Sequence, residues 1–178
     1  MAVIKVINNN YSDPFVHARL VQYAMQQKVY NRRGNFTGEY VPADAYGGNN
    51  LFFGNVIEQI PVLVAQQMMN ALESTGKNHG QFMKHIILSF DSKGNEKWVT
   101  LVDAIAIAQN ISTNFFSQFQ VFWGVHGNRK SHLHIHFVIN AVNVFTHCKF
   151  PDKMDTYQRL KTFVKRCLPA EKCLITYE

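Results

Sequence analysis

Acidic residues are scarce in this chain. Twelve Asp and Glu stand against 18 Lys and Arg among 178 residues, a formal net charge of +6, and the pI is near 9.3. That balance suits a polyanionic partner, most simply nucleic acid. Cysteine is scarce too: Cys148, Cys167 and Cys173, an odd number with no close spacing. This argues against a disulfide framework and a thiolate metal cluster, and predicts free thiols in a reducing compartment. No apolar run is long enough to cross a bilayer, and Met1–Lys5 lacks the basic and apolar blocks of a signal peptide, so no membrane partner is expected. Charged residues make up only 17% against 47% hydrophobic, which points to a globular chain rather than a disordered one. With no repeat or linker, 1–178 is expected to be a single domain with a real core.

What is present is a pattern of histidines. In His132-Leu133-His134-Ile135-His136-Phe137 imidazole and apolar side chains alternate. On a strand they point to opposite faces, with alternate residues about 7 Å apart. One face can pack on helices, while the other offers imidazoles at chelating distance. His126 lies upstream across the polar loop Gly127-Asn128-Arg129-Lys130-Ser131. A strand, tight connection and return strand would set His126 beside His134 and His136 and complete a three-nitrogen site.

Elsewhere, Val3 to Asn8 predicts a first strand. Ser12 or Asp13 can cap a helix with Pro14 in its first turn, running to about Gln27 with Phe15, Leu20, Tyr23 and Ala24 at helical spacing. Residues 31–55, rich in Gly and Asn, predict a long loop, either a DNA-binding flap or a surface excursion. Helices are expected from near Pro61 to Thr75, from about Thr100 to Phe116, and over Lys153–Leu168. Strands are expected at Lys84–Phe90, Phe119–His126, His132–Asn140 and Leu174–Tyr177, with a turn at Asp91–Asn95. The order predicts α+β, a mainly antiparallel central sheet of about five strands with helices packed on it. Basic clusters at Lys28, Arg32, Arg33 and at Arg129, Lys130 are candidate contacts to a phosphate backbone, or a solvated surface.

Trp123-Gly124-Val125-His126, the polar loop, and His132 to Asn140 resemble the third motif of plasmid mobilization relaxases. These are HUH endonucleases, named for two His flanking a hydrophobic residue, here His134-Ile135-His136; the P-class conjugative relaxases fit best. Ala18-Arg19-Leu20-Val21-Gln22-Tyr23 is similar to the helix that carries the family's nucleophilic tyrosine. Lys84 to Phe90 is similar to its central strand. The resemblance implies a site- and strand-specific nickase acting on single-stranded DNA at an origin of transfer in the bacterial cytoplasm, with accessory relaxosome proteins and a coupling protein as further partners. It implies that Tyr23 attacks the scissile phosphate and stays on the 5′ end, while His126, His134 and His136 hold a divalent metal. Imidazoles suit zinc, manganese or nickel better than magnesium, whereas phosphoryl-transfer metals in cells are usually magnesium or manganese, so Mn2+ or Mg2+ is expected. A phenol needs activation by a base, a cation or the metal. Arg19, four residues before Tyr23 on the helix, is a candidate DNA contact. Tyr11 and Tyr30 are the fallback nucleophiles.

Supporting roles are assigned to His85, from a neighbouring strand, and to His132, as a DNA contact or fourth ligand. Asn140 could hold a loop or the nucleophile's surroundings. The chain departs from the family at Asn128, where relatives usually carry Asp, and its loop before His134 is about one residue longer. Glu39, Asp44, Asp91 or a backbone carbonyl would then orient the imidazole. Three other readings remain. A histidine-triad nucleotide hydrolase or transferase would use His134 as its nucleophile without metal. A relaxase-fold protein could bind DNA without cutting it. A rolling-circle initiator or transposase of the same superfamily typically carries its tyrosine after the His motif.

Overall fold

The computed structural model describes every residue except 8–10, 12, 14, 32, 34, 78, 91–98, 128–131, 169–172 and 178, and gives the backbone alone for Tyr30. The expectations for Ser12, Pro14, Arg32, the Asp91–Asn95 turn, Asn128, Arg129, Lys130 and the Tyr30 side chain lie outside the described residues.

The fold is α+β. Strands β1 (Ala2–Ile7), β4 (Ala45–Asn49), β5 (Met83–Phe90), β6 (Phe119–His126), β7 (Leu133–Asn143) and β8 (Cys173–Tyr177) form one sheet in the order β4-β6-β7-β5-β1-β8. All neighbours are antiparallel except β1 and β8. Helices α1 (Val16–Met25) and α2 (Ile60–Ser74) cover one face, and α3 (Leu101–Asn110) and α4 (Met154–Cys167) cover the other. The larger core lies on the α3/α4 side, where Ile135, Phe137 and Ile139 of β7 meet Ala104, Ile107, Leu160 and Val164. The smaller core joins Val138 and Phe122 to Val21, Ala24, Val64 and Met68.

Local chemistry explains several ends. Asp13 Oδ1 accepts from Phe15 N–H at 2.9 Å just before α1. Thr100 and Asp103 form a reciprocal capping box on α3. Beyond α2, Gly76 has φ +65°, and Lys77 N–H reaches Leu72 O at 3.1 Å, a left-handed C-terminal cap. Acidic Asp155 in the first turn of α4 and basic Lys165 and Arg166 in its last oppose the helix dipole.

The region 31–55 corrects the loop expectation. It contains β3 (Phe36–Pro42), which pairs with β2 (Gln26–Tyr30) as a separate ribbon, and then the edge strand β4. Helix α1 therefore ends at Met25 rather than Gln27 and passes straight into the ribbon. The glycines that read as loop are demanded by packing. A Cβ on Gly47 would lie 2.5 Å from the Trp123 ring, and one on Gly48 2.4 Å from Val121 O. α3 also continues into a π-helical turn over Ile111–Phe115. No helix is long and apolar enough to cross a membrane among the described residues.

Candidate active site

Strand register builds the site. β6 and β7 pair His126 with His134 and Gly124 with His136, and β5 and β7 pair His85 with Val138. Alternation then puts all four imidazoles on the α1 face. The ring centroids of His126, His134 and His136 are 4.5 to 5.0 Å apart. One ligand nitrogen from each lies within 4.8 Å of the others. Two nitrogens on one ion at about 2.1 Å can be no more than about 4.2 Å apart, so small ring rotations suffice to bring the donors onto a cation.

Hydrogen bonds select the free lone pairs. His126 Nε2 donates to Ala24 O at 2.8 Å, because a carbonyl can only accept; Nδ1 remains a donor to metal. His134 Nδ1 donates to His132 O at 2.8 Å, leaving Nε2. His136 Nδ1 is 3.0 Å from His85 Nε2, while its own Nε2 is buried with no hydrogen-bond partner in the protein. That orphaned nitrogen is what a metal ligand looks like before the ion is added. Burial pushes His85 and His126 down to about 4 and lowers His134 and His136 as well. All four are therefore neutral at pH 7, the state that ligates metal.

Tyr23 sits in the last turns of α1, 41% exposed. Its ring is edge-on to His136 at 5.1 Å, with His85 at 6.2 Å and His126 at 6.5 Å. Gly124 makes this approach possible. A Cβ there would lie 1.9 Å from Ala24 O, so any side chain would push the end of α1 off the sheet and break the His126 bond. Sequence reasoning gave Gly124 no role, although a glycine inside a strand signals a close backbone approach. It also missed Lys5, half-buried on β1 opposite Ile87 in the row that leads to His136, whose charge helps keep His134 neutral.

Other expected residues divide. His85 joins the cluster through His136. Of the substitutes for the missing Asp, Ala24 O takes the His126 ring proton. Asp44 Oδ2 stands beside that ring's strand and accepts from Gly127 N–H at 2.6 Å and Gln27 Nε2 at 3.0 Å; Glu39 is exposed on the ribbon, and Asp91 is not described. His132 precedes β7 and contributes its carbonyl to His134, not its ring to the three-imidazole cluster; the alternation that suggested a fourth ligand stops where the strand does. Asn140 is buried and bonds Met68 O and Gln120 Oε1, bracing α2 rather than the surroundings of Tyr23. Arg19 is paired with Asp13 at the start of α1. Tyr11 is buried among apolar residues of the smaller core. Lys28 lies over the Phe36 ring at 5.4 Å, and Arg33 is exposed at the ribbon tip.

Comparisons with known proteins bear on the family and the fold. The family described as Relaxase: MobA/VirD2-like, nuclease domain, matches residues 40–170; α1 and Tyr23 precede that range. No curated protein matches the sequence. A solved structure from work on the molecular basis of vancomycin resistance transfer in Staphylococcus aureus superposes with a TM-score of 0.53 and 10% identity, over 94% of this chain and 89% of that one. That likeness is one of fold. With the family matched across most of its length, including the paired strands and their histidines, the chain belongs to the MobA/VirD2-like relaxase nuclease-domain family.

Proposed function

We propose that this protein is a relaxase that nicks and rejoins one DNA strand at a plasmid origin of transfer, with Tyr23 as nucleophile and His126, His134 and His136 as ligands of a divalent cation, Mn2+ or Mg2+. The observation that carries the reading is the Tyr23 ring lying against His136, whose outward nitrogen is buried without a protein partner. A cation held by three neutral imidazoles would polarise the nonbridging phosphate oxygens and keep open positions for them.

The chain's own residues supply the rest. Tyr23 loses its proton and its oxygen forms a bond to phosphorus; the bond to the 3′ oxygen breaks, and that oxygen takes up a proton. One phosphodiester is exchanged for another, so the reversal rejoins the strand without an energy source. His85 holds His136 in register, and Ala24 O holds His126. The ribbon β2–β3, which leaves the end of the Tyr23 helix, exposes Phe36, Tyr40, Val41 and Arg33 beside the half-buried Lys28, groups suited to a DNA backbone and bases.

A denaturing gel with labelled single-stranded origin DNA and manganese tests the proposal. A protein–DNA adduct is expected, and chelator should remove it. Tight binding without any adduct would make this a DNA-binding member of the family instead. Cleavage in chelator would end the metal role and revive a histidine-triad reaction at His134.

A further inference from the structure

An open groove of about 870 Å3 lies on the other face of the sheet, between α4 and the π-helical turn after α3. Its end wall is formed by Phe119 and Asn143, at the start of β6 and the end of β7. His126 closes the opposite end of β6, seven residues away, so the groove is roughly 20 Å from the histidines. Nothing in the proposed nicking reaction uses it.

Its lining is charged in one sense. Arg159, Arg166 and Lys149 border it, and among the described residues that line it none is acidic. Lys149 spends its ammonium on two carbonyls, His79 O and Gln81 O. The two arginines are exposed, and neither is paired with a carboxylate among the described residues. Between them the floor is aromatic, with Phe115 and Phe163 half-buried and their ring centroids 5.6 Å apart, and Phe119 beyond.

Spacing narrows the ligand. Arg159 and Arg166 are seven residues apart on α4, two turns, so their stems are separated by about 10 Å along the axis. That spacing lets each guanidinium take a phosphate of its own along an extended chain of anions. Half-buried rings between the cations offer planar apolar surface, which nucleobases stack on and an acidic peptide would leave unused. We propose that this groove is a second binding site, for single-stranded nucleic acid, with the two arginines on separate phosphates and the phenyl rings under the bases. That the occupant is the strand cut at the histidines rests on the proposed function; affinity for a single strand does not.

Cys148 lines the groove and is exposed, while Cys173 is buried, so thiol alkylation reads the site directly. Purified full-length protein is treated with N-ethylmaleimide with and without a short oligothymidylate that lacks any origin sequence, and each cysteine is followed by mass spectrometry. The oligonucleotide should slow modification of Cys148. The double variant Arg159→Ser, Arg166→Ser should lose the protection, and its slope of log affinity against log salt should be shallower by about 1.4, two phosphate contacts at about 0.7 each. Thr162→Glu, which puts a carboxylate on the same exposed face of α4, should lose protection as well and serves if the double variant fails to fold. Tyr23→Phe protein should be protected like wild type, which separates this result from the fate of the nicking proposal. Cys148 reacting at full rate when the oligonucleotide is saturating would overturn the inference. Equal protection by polyglutamate would overturn it in favour of an acidic peptide surface.

Discussion

The two faces of β7 carry the same backbone into opposite tasks. Leu133, Ile135, Phe137 and Ile139 are buried against α3 and α4 in the larger core, where each gains from being removed from water and from close packing. On the reverse face His136 is buried and His134 half-buried, yet their partners are polar and few: His132 O, His85 Nε2 and each other's edges. One face is satisfied by contact alone. The other leaves a nitrogen unsatisfied and neutralises its ring charges by burial. Stability and chemistry are thus separated by the thickness of one strand, and changes to one face should spare the other in kind.

The sharpest break in that comparison comes from the proposed nucleophile. Tyr23→Phe should abolish the covalent adduct while single-stranded DNA still binds, as read by a denaturing gel beside an anisotropy titration; an adduct formed by the variant removes Tyr23 from the mechanism. His136→Ala comes next. It should eliminate high-affinity metal uptake, measured by calorimetry, with the fold retained because no apolar contact layer is lost. On the reverse face Phe137→Ala should do the opposite, lowering stability by about 3–5 kcal/mol in urea melts while the variant that remains folded still binds metal. If Phe137→Ala costs more metal affinity than His136→Ala, the division of labour is wrong.

Smaller effects sharpen it. His85→Ala should weaken metal affinity about 10–100-fold through loss of the partner that orients His136, with little change in melting temperature. Acid stability of the metal-free protein reads the burial of the same rings. Folded His85 and His126 titrate near 4, while free imidazoles titrate near 6.5. Between those values the unfolded chain takes up protons that the folded one refuses, so stability should fall as pH drops from 6.5 toward 4. Urea midpoints across that window should show the slope, and His85→Gln should flatten it.

Legibility followed the range of the interactions. The hairpin from Phe119 to Asn140 was readable because alternation, a polar connection and a return alternation are all local, and the observed strands agree within a few residues. Residues 31–55 were misread because Gly47 and Gly48 look like loop until Trp123 and β6 are placed against them. His85 is legible in the sequence as a support from a neighbouring strand, but not its partner, because the bond to His136 spans 51 residues. The replacement for the family's Asp could be narrowed to a few groups, and the choice of Ala24 O depends on α1 landing on Gly124.

From residue order alone came the alternating strand, the three histidines as a group and the basic balance, since these rest on periodicity and spacing along the chain; the family came from the resemblance of the histidine motif and from the match over residues 40–170. Only the folded molecule decided which nitrogen of each ring is left open, which tyrosine faces them, and where a cationic groove forms far from both. Those outcomes depend on register across strands and on the seating of helices, which are set by contacts between segments that the linear order keeps apart.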